Sequence, residues 1–350
     1  MSNTPDKELG ELVDLQRLGA WMDAQGLPAG DFSGVERLSG GTQNVLLRFE
    51  RGGLRYVLRR PPPHKRARSD ETMRREARVL AALAGSPVPH PALIAACPET
   101  DVIGAAFYLM EAIDGFNPTS GLPSLHAGDA RVRHRMGLAM ADAAAALGRV
   151  DYRAVGLEGF GKPKGYLERQ VSRWQSQLDS YAPLQGYPGP QIPHLEEVAS
   201  WLGENRPRQW QPGIIHGDFH LANMLFRFDG PELAAVVDWE LSTIGDPLLD
   251  LGWLLATWPD PEGGGFAAVT ATPFEGFPSR SELVLNYARG SDRDLSHIDW
   301  YTVLACYKLG IILEGTYARA CAGKAPREVG DLLHAQTLGL FRKAQAILAA

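Results

Sequence analysis

Hydrophobic positions along the chain change their spacing about a third of the way through it. Residues 8–25 repeat apolar side chains at helical intervals, and residues 35–60 then alternate apolar and polar side chains in the two-residue rhythm of a strand. Ser39-Gly40-Gly41-Thr42-Gln43-Asn44 gathers turn-forming residues between two apolar runs, which predicts a hairpin with a glycine-rich tip. Residues 69–83 are charged and alanine-rich and predict a helix, with Ser69 or Asp70 as its cap and the prolines from Pro87 to Pro91 as its stop. Two further strands are predicted at 92–96 and 105–111. Helix, hairpin, helix and two strands are too few long elements for a doubly wound sheet and enough for a small antiparallel one.

Beyond Asp114 the spacing turns helical, at 130–147, 165–180, 195–204, 248–256, 281–288, 300–320 and 330–349. Residues 213–240 interrupt those helices: the short apolar runs Ile214-Ile215, 224–228 and 234–237 bracket an irregular loop that carries His216, Asp218 and Asn223. The layout is therefore a strand-rich lobe, 1–111, followed by a helical lobe, 112–350, with no internal repeat.

Composition narrows the classes without choosing among them. At 350 residues, 45% hydrophobic and 22% charged, the chain is an ordinary globular one, large enough for two lobes. A net charge of -6 argues against nucleic acid as a partner, because phosphate contacts need concentrated lysine and arginine. One basic run, residues 58–78, sets eight Lys or Arg against three acids and is expected to be a solvated face. The cysteines, Cys97, Cys306 and Cys321, are odd in number and widely spaced, which suits reduced thiols. A polar N-terminus and the lack of any apolar run near the roughly 18 residues of a membrane span make the cytoplasm the expected compartment and a membrane an unexpected partner.

The chemistry concentrates in Ile214-Ile215-His216-Gly217-Asp218-Phe219-His220-Leu221-Ala222-Asn223, followed after a hairpin by Val236-Val237-Asp238-Trp239-Glu240. Phosphoryl transfer asks little covalent help of a protein; it needs a carboxylate to orient the accepting hydroxyl and oxygen ligands to hold Mg²⁺ on the phosphates. Asp218 can be that base, and Asn223 and Asp238, both hard oxygen donors, suit a hydrated octahedral cation.

HGDxxxxN followed about fifteen residues later by an apolar strand ending in Asp resembles the catalytic loop of aminoglycoside and choline kinases. Protein kinases carry HRD through Asn and then DFG, whereas Gly217 and Trp239 look like the small-molecule branch. The resemblance implies an α+β, two-lobed protein-kinase-like fold, with Mg²⁺ as cofactor, ATP or GTP as co-substrate and a small-molecule hydroxyl as acceptor. It further implies that Gly40, Gly41, Thr42 and Asn44 cover the phosphates, and that a strand-borne cation paired with a helical Glu reaches them. Arg59 aligns best with that cation and Glu76 with its partner, although Arg60 is one register away and a local helical pair of Glu76 with Arg74, Arg75 or Arg78 is the plainer alternative. Arginine stands here where the family normally has lysine; it can still bind phosphate bidentately. Glu111 and Ile113 match the hinge that meets adenine, and Asp250 matches a buried aspartate that holds the catalytic loop, with His216 in a similar supporting role. Asp246 is placed to cap the helix that follows it, and His220 is left without a role.

The acceptor is the least legible part. Glu314 and Arg319 lie on a helix that lines the acceptor cleft in these kinases, with ordinary surface pairs as the alternative. Seven acids between Asp260 and Tyr301 are dispersed, where a polycationic aminoglycoside would want them clustered. VLRRPP, HGDFHLANMLF and VVDWELSTIGDPLLDLGW resemble most closely the kinase-like domain found joined to acyl-CoA dehydrogenases, which implies a hydroxylated acyl-CoA or similar metabolite as acceptor, any dehydrogenase activity belonging to a separate protein. A nucleotide-binding pseudokinase or scaffold is the non-catalytic alternative; no GxxxxGK[ST] or GxGxxG supports another nucleotide fold.

Overall fold

The computed structural model describes residues 12–38, 44–64, 67–259 and 269–349. Helix α1 (Leu15–Ala24) starts where the Asp14 carboxylate accepts from Arg17 N, and it buries Leu18 and Met22. Strands β1 (Ser33–Arg37), β2 (Val45–Arg51), β3 (Leu54–Arg60), β4 (Leu93–Cys97) and β5 (Phe107–Glu111) form one antiparallel sheet in the order β1-β2-β3-β5-β4. The single hairpin predicted over 35–60 is thus a three-stranded meander, and the Ser39–Asn44 cluster joins β1 to β2. A second turn, Gly52-Gly53, separates β2 from β3 with φ of 58° and 78°. A side chain at Gly52 would also put its Cβ 2.4 Å from Pro28 Cβ, so the turn demands glycine twice over. Val45, Leu47 and Phe49 alternate inward on β2 and join Leu18, Met22, Tyr56, Leu58 and Leu109 in a small core under α1.

Helix α2 (Ser69–Leu83) has the predicted limits but not the predicted cap. Arg68 holds the N-cap position without a side-chain bond, and Asp70 accepts from Ala106 N at 2.9 Å. Its inner residues Met73, Ala77 and Leu80 join the large core of the following helical region, so α2 is packed across both parts of the molecule. The basic run 58–78 is accordingly not a plain solvated face. Arg59 and Arg60 are buried, Arg75 bonds the Phe160 and Ser242 carbonyls at 3.0 and 3.1 Å, and Arg78 bonds the Gly156 carbonyl at 2.7 Å. Guanidinium donors there satisfy loop carbonyls that lie where the two parts meet.

The helical region contains α3 (Ser124–Gly128), α4 (Ala130–Arg149), α5 (Gln170–Asp179), α6 (Leu195–Glu204), α7 (Leu248–Thr257), α8 (Arg280–Arg289), α9 (Ile298–Cys321) and α10 (Arg327–Leu348). Two short ribbons interrupt it: β6 (Gly213–Ile215) pairs with β9 (Thr243–Gly245), and β7 (Met224–Phe226) pairs with β8 (Leu233–Val236). The pattern reading missed β9, because three residues are too few to show alternation; its partner β6 defines it. None of the described helices is long and apolar enough to cross a membrane.

Helix α9 is buried on nearly every side and crosses α7 closely. Gly252 on α7 makes that approach possible, since a Cβ there would lie 2.6 Å from the Tyr301 backbone carbonyl. Backbone atoms cannot rotate away, so Gly252→Ala should lower stability by about 2 kcal/mol or more, read as a reduced midpoint in thermal or urea unfolding.

Candidate active site

Strand β6 delivers His216 and Gly217 to the interior, where both backbone N–H groups donate to the Asp250 carboxylate, at 2.7 and 2.9 Å. Asp250 lies in the first turn of α7 and is fully buried; burial raises its pKa, against the pull of His216, of the two backbone donors and of Lys308. Gly217 has φ 89°, and a Cβ on it would come 2.7 Å from the Leu241 carbonyl oxygen. The ring of His216 accepts from Asp218 N at Nδ1, 3.3 Å, which leaves Nε2 to donate to the Val237 carbonyl, 2.9 Å. His216 therefore ties the loop after β6 to the end of β8.

Asp218 emerges from this support half-buried. Its Oδ2 accepts from Asn223 Nδ2 at 3.0 Å, and its Oδ1 lies 3.1 Å from His220 Nε2. Burial alone would raise the carboxyl, yet the hydrogen bond and charge of His220, together with the charge of Lys308, hold it well below the usual carboxylate range. Asn223 spends its amide hydrogens on Asp218, a second bond going to the Asp218 carbonyl at 2.9 Å, so its Oδ1 is the atom left to face a cation. Its carbonyl accepts from Val237 N at 2.9 Å, which fixes the next residue, Asp238, beside it. Asp238 has left-handed backbone angles, φ 68° and ψ 62°, a strained state for a residue with a side chain.

Asp238 receives Arg59 across the gap between sheet and helices, Nη2 to Oδ1 at 2.6 Å. Arg59 Nε lies 2.8 Å from Glu76 Oε2, and Glu76 accepts from Tyr108 OH at 2.7 Å. Burial pushes the Glu76 carboxyl up to about 7, against the attraction of Arg59 and the Tyr108 hydrogen bond. Glu240 lies 3.6 Å from Arg59 and accepts from Asn44 Nδ2 at 3.2 Å. Arg60 turns to the other face of β3 and bonds the carbonyls of Pro61, Leu12 and Ile103. The strand register thus presents Arg59, not Arg60, to the site, and the arginines at 74, 75 and 78 bond carbonyls elsewhere, leaving Glu76 to Arg59.

Other predicted residues fall as follows. Gly40, Gly41 and Thr42 lie outside the described residues. Glu111 closes β5, its N–H donating to the Ala92 carbonyl at 2.9 Å, and Ile113 follows in the segment that leads to the Phe116–Phe226 bridge. Asp246 lies one position before the N-cap, Pro247, yet still accepts from Leu248 N at 3.1 Å and from Tyr301 OH at 2.5 Å. Glu314 is a correction: it is fully buried, with one oxygen on Tyr187 OH at 2.9 Å and the other on His334 Nδ1 at 2.7 Å, and so is spent inside the protein. Arg319 is exposed and bonds Thr316 of its own helix at 2.7 Å.

Two neighbours of Asp218 went unread in the sequence, His220 and Lys308. Lys308 is the one charged residue between Trp300 and Leu313, a cation in the middle of an otherwise uncharged stretch, which is a usable signal. Its Nζ donates to the Gly217 carbonyl at 3.2 Å and stands 4.3 Å from the centre of the Trp253 ring. Its pKa is pulled down to about 8, by burial first, which Asp218 and Asp250 partly offset and Arg173 reinforces.

A small antiparallel sheet above a helical lobe, with the His216–Asp218 loop and Asp238 at their junction, defines the protein-kinase-like class. The chain belongs to the phosphotransferase enzyme family, whose sequence profile matches residues 34–283. Acyl-CoA dehydrogenase family member 11 of Gallus gallus is 35% identical over 313 residues, which are 86% of this chain and 38% of that protein, so the chain spans well under half of its relative. A protein of Ralstonia eutropha JMP134, provisionally named an aminoglycoside phosphotransferase, shares the structure with a TM-score of 0.79 and 29% identity, over 95% of this chain and 99% of that one. The GDP complex of wild-type aminoglycoside 2'-phosphotransferase-IIIa shares the fold, with a TM-score of 0.61 and 16% identity over 93% and 97% of the two chains.

Two outcomes follow from this support. Asp250→Ala leaves two buried backbone N–H groups unpaired, at about 1–3 kcal/mol each, and should lower the melting temperature and the catalytic rate together. For Lys308 the folded value, about 8, lies below the ordinary 10.5, so its stabilising contribution is complete above 10.5 and is lost as pH falls through 8. Wild-type stability should carry an upward slope across that window of up to about 1.4 kcal/mol per pH unit, and Lys308→Met should remove it in urea titrations at stepped pH.

Proposed function

We propose that the chain is a Mg²⁺-dependent kinase that moves the γ-phosphoryl group of ATP or GTP onto a hydroxyl of a small metabolite, with residues 1–111 serving the nucleotide and 112–350 the acceptor. The observation that carries this reading is the junction of Asp218, Asn223 and Asp238, a depressed carboxylate beside two hard oxygen donors, faced by Arg59. Asp218, ionised, orients the accepting hydroxyl and takes its proton as the bond to phosphorus forms. Asn223 Oδ1 and the Asp238 carboxylate are the oxygens that would hold the cation, and their chemistry fits Mg²⁺, which keeps water and phosphate oxygens for its other positions. Among the described residues no cluster of three or more His, Cys, Asp or Glu offers a richer site. Bound there, Mg²⁺ would shield charge on the phosphates.

Arg59, steered by Glu76, is the cation for the α- and β-phosphates, and it can leave Asp238 for them when nucleotide arrives. Gly40, Gly41, Thr42 and Asn44 would close over the phosphates, and the backbone of Glu111 and Ile113 would meet the base. The name of the Gallus gallus relative supports an acceptor from acyl metabolism, a hydroxyacyl-CoA or the related hydroxy acid. Three thiols free of disulfides suit a cytoplasmic setting.

The test is thermal. Mg·ATP or Mg·GTP should raise the melting temperature of the wild type, by mass action on the folded state, and Asp238→Ala should lose the effect. Asp218→Asn should keep the nucleotide effect while lowering turnover about 10²- to 10⁴-fold. If neither nucleotide shifts the wild type, a non-catalytic role replaces this reading.

A further inference from the structure

Charge around the catalytic carboxylate is lopsided. Arg59, Glu76, Asp238 and Glu240 form one group, tied to the sheet and to the phosphate side of the site. Lys308 belongs to another: the charges that act on it are Asp218, Asp250 and Arg173, on the side built from α5, α7 and α9. The ring centres of the buried Trp253 and Trp174 lie 4.3 and 5.6 Å from Nζ, and the Arg173 guanidinium lies 5.2 Å from the centre of the Trp174 ring. His220 flanks Asp218 at 3.1 Å.

Of the two carboxylates near Lys308, Asp250 is occupied by two backbone donors, and Asp218 has its oxygens engaged by Asn223 and His220. The ammonium has three donors and, among the described residues, one hydrogen-bond partner, the Gly217 carbonyl at 3.2 Å. Lys308 and Asp218 are both half-buried, and the charge of each acts on the other. The ammonium of Lys308 would repel a polyamine brought to Asp218 and attract an electron-rich oxygen.

We propose that Lys308 determines acceptor class by binding a carbonyl-type oxygen of the acceptor, a carboxylate or the carbonyl of a thioester, while the hydroxyl of the same molecule meets Asp218. This rests on the kinase reading above and sharpens it: the acceptor is a hydroxy acid or its thioester and not an aminoglycoside.

The experiment uses the full chain as wild type, Lys308→Met and Lys308→Arg, with ADP release as readout. Acceptors are hydroxyhexanoates bearing the hydroxyl at each of carbons 3 to 6, their CoA thioesters, hexanediols of matching spacing, and kanamycin. The wild type should phosphorylate a hydroxyhexanoate or its thioester at least about 10-fold more efficiently than the matching diol, and kanamycin not at all. Lys308→Met should raise KM for that acceptor about 10- to 100-fold with the KM for Mg·ATP unchanged, remove the preference over the diol, and Lys308→Arg should restore part of it. Free acid against thioester tells which source supplies the oxygen. Equal use of diols or kanamycin by the wild type overturns the proposal, as does a Lys308→Met loss that is the same for every acceptor or that falls on Mg·ATP. No turnover of any carbonyl-bearing acceptor, with Mg·ATP still raising the melting temperature, also overturns it; absence of that Mg·ATP effect overturns the kinase reading instead. The wild-type panel decides the acceptor class even if the methionine variant fails to fold.

Discussion

The buried Asp250 carboxylate is the constraint on which the site depends. A sheet edge as short as β6 cannot by itself hold a loop in one conformation, and the loop that follows it must leave at Gly217 with a positive φ. Asp250 supplies what the ladder cannot, two acceptors for the backbone N–H groups of His216 and Gly217, from the first turn of a helix packed at the centre of the core. With those bonds made, His216 reaches Val237, and Asp218 and Asp238 become neighbours although twenty residues separate them. Gly252, two residues further along α7, lets that helix sit close against α9, so the placement of Asp250 is itself a packing outcome.

Arg59 performs the equivalent task between sheet and helices. Its guanidinium spans Glu76 on α2 and Asp238 at the end of β8, and the fork geometry lets one side chain answer both carboxylates. Lysine, a point charge, would serve one of them well and the other less well. Arginine at position 59 therefore has a structural consequence: it joins Asp238 to Glu76. α2 is also fastened by Arg75 and Arg78 on loop carbonyls, which helps to hold Glu76 where Arg59 meets it.

Residues whose meaning is local were legible in the sequence. The limits of α2 and α6 came straight from their periodicity, and the spacing of His216, Asp218, Asn223 and Asp238 marked four residues that the fold brings together, because a loop between short strands has little freedom in which to rearrange them. What required tertiary contacts was not legible. The Gly52-Gly53 turn was hidden inside one long alternating run, β9 exists only against β6, and the arginines of 58–78 looked like a solvated face until the carbonyls they satisfy came into view. Glu314 was placed in the acceptor wall by its helix alone, and its true partners, Tyr187 and His334, come from segments far away in the chain. Lys308 shows in the sequence only as one charge in an uncharged stretch of helix; that it faces Asp218 is a tertiary fact.

Seen together, the ionisable groups divide into those that burial disfavours and the one that its neighbours favour. Glu76 and Asp250 are both raised by burial, and each is kept useful by a cation or by backbone donors that answer its charge. Asp218 is lowered, because the His220 hydrogen bond and the charges of His220, His216 and Lys308 outweigh its burial. Asp218 also meets a desolvation cost, which the histidines and lysine beside it outweigh, and this leaves it a weak base. A weak base suits a reaction in which the hydroxyl proton becomes acidic only late, once the bond to phosphorus is forming. The side chains that weaken the base are the ones that flank it, so a change at His220 or Lys308 alters the basicity of Asp218 as well as the surface around it.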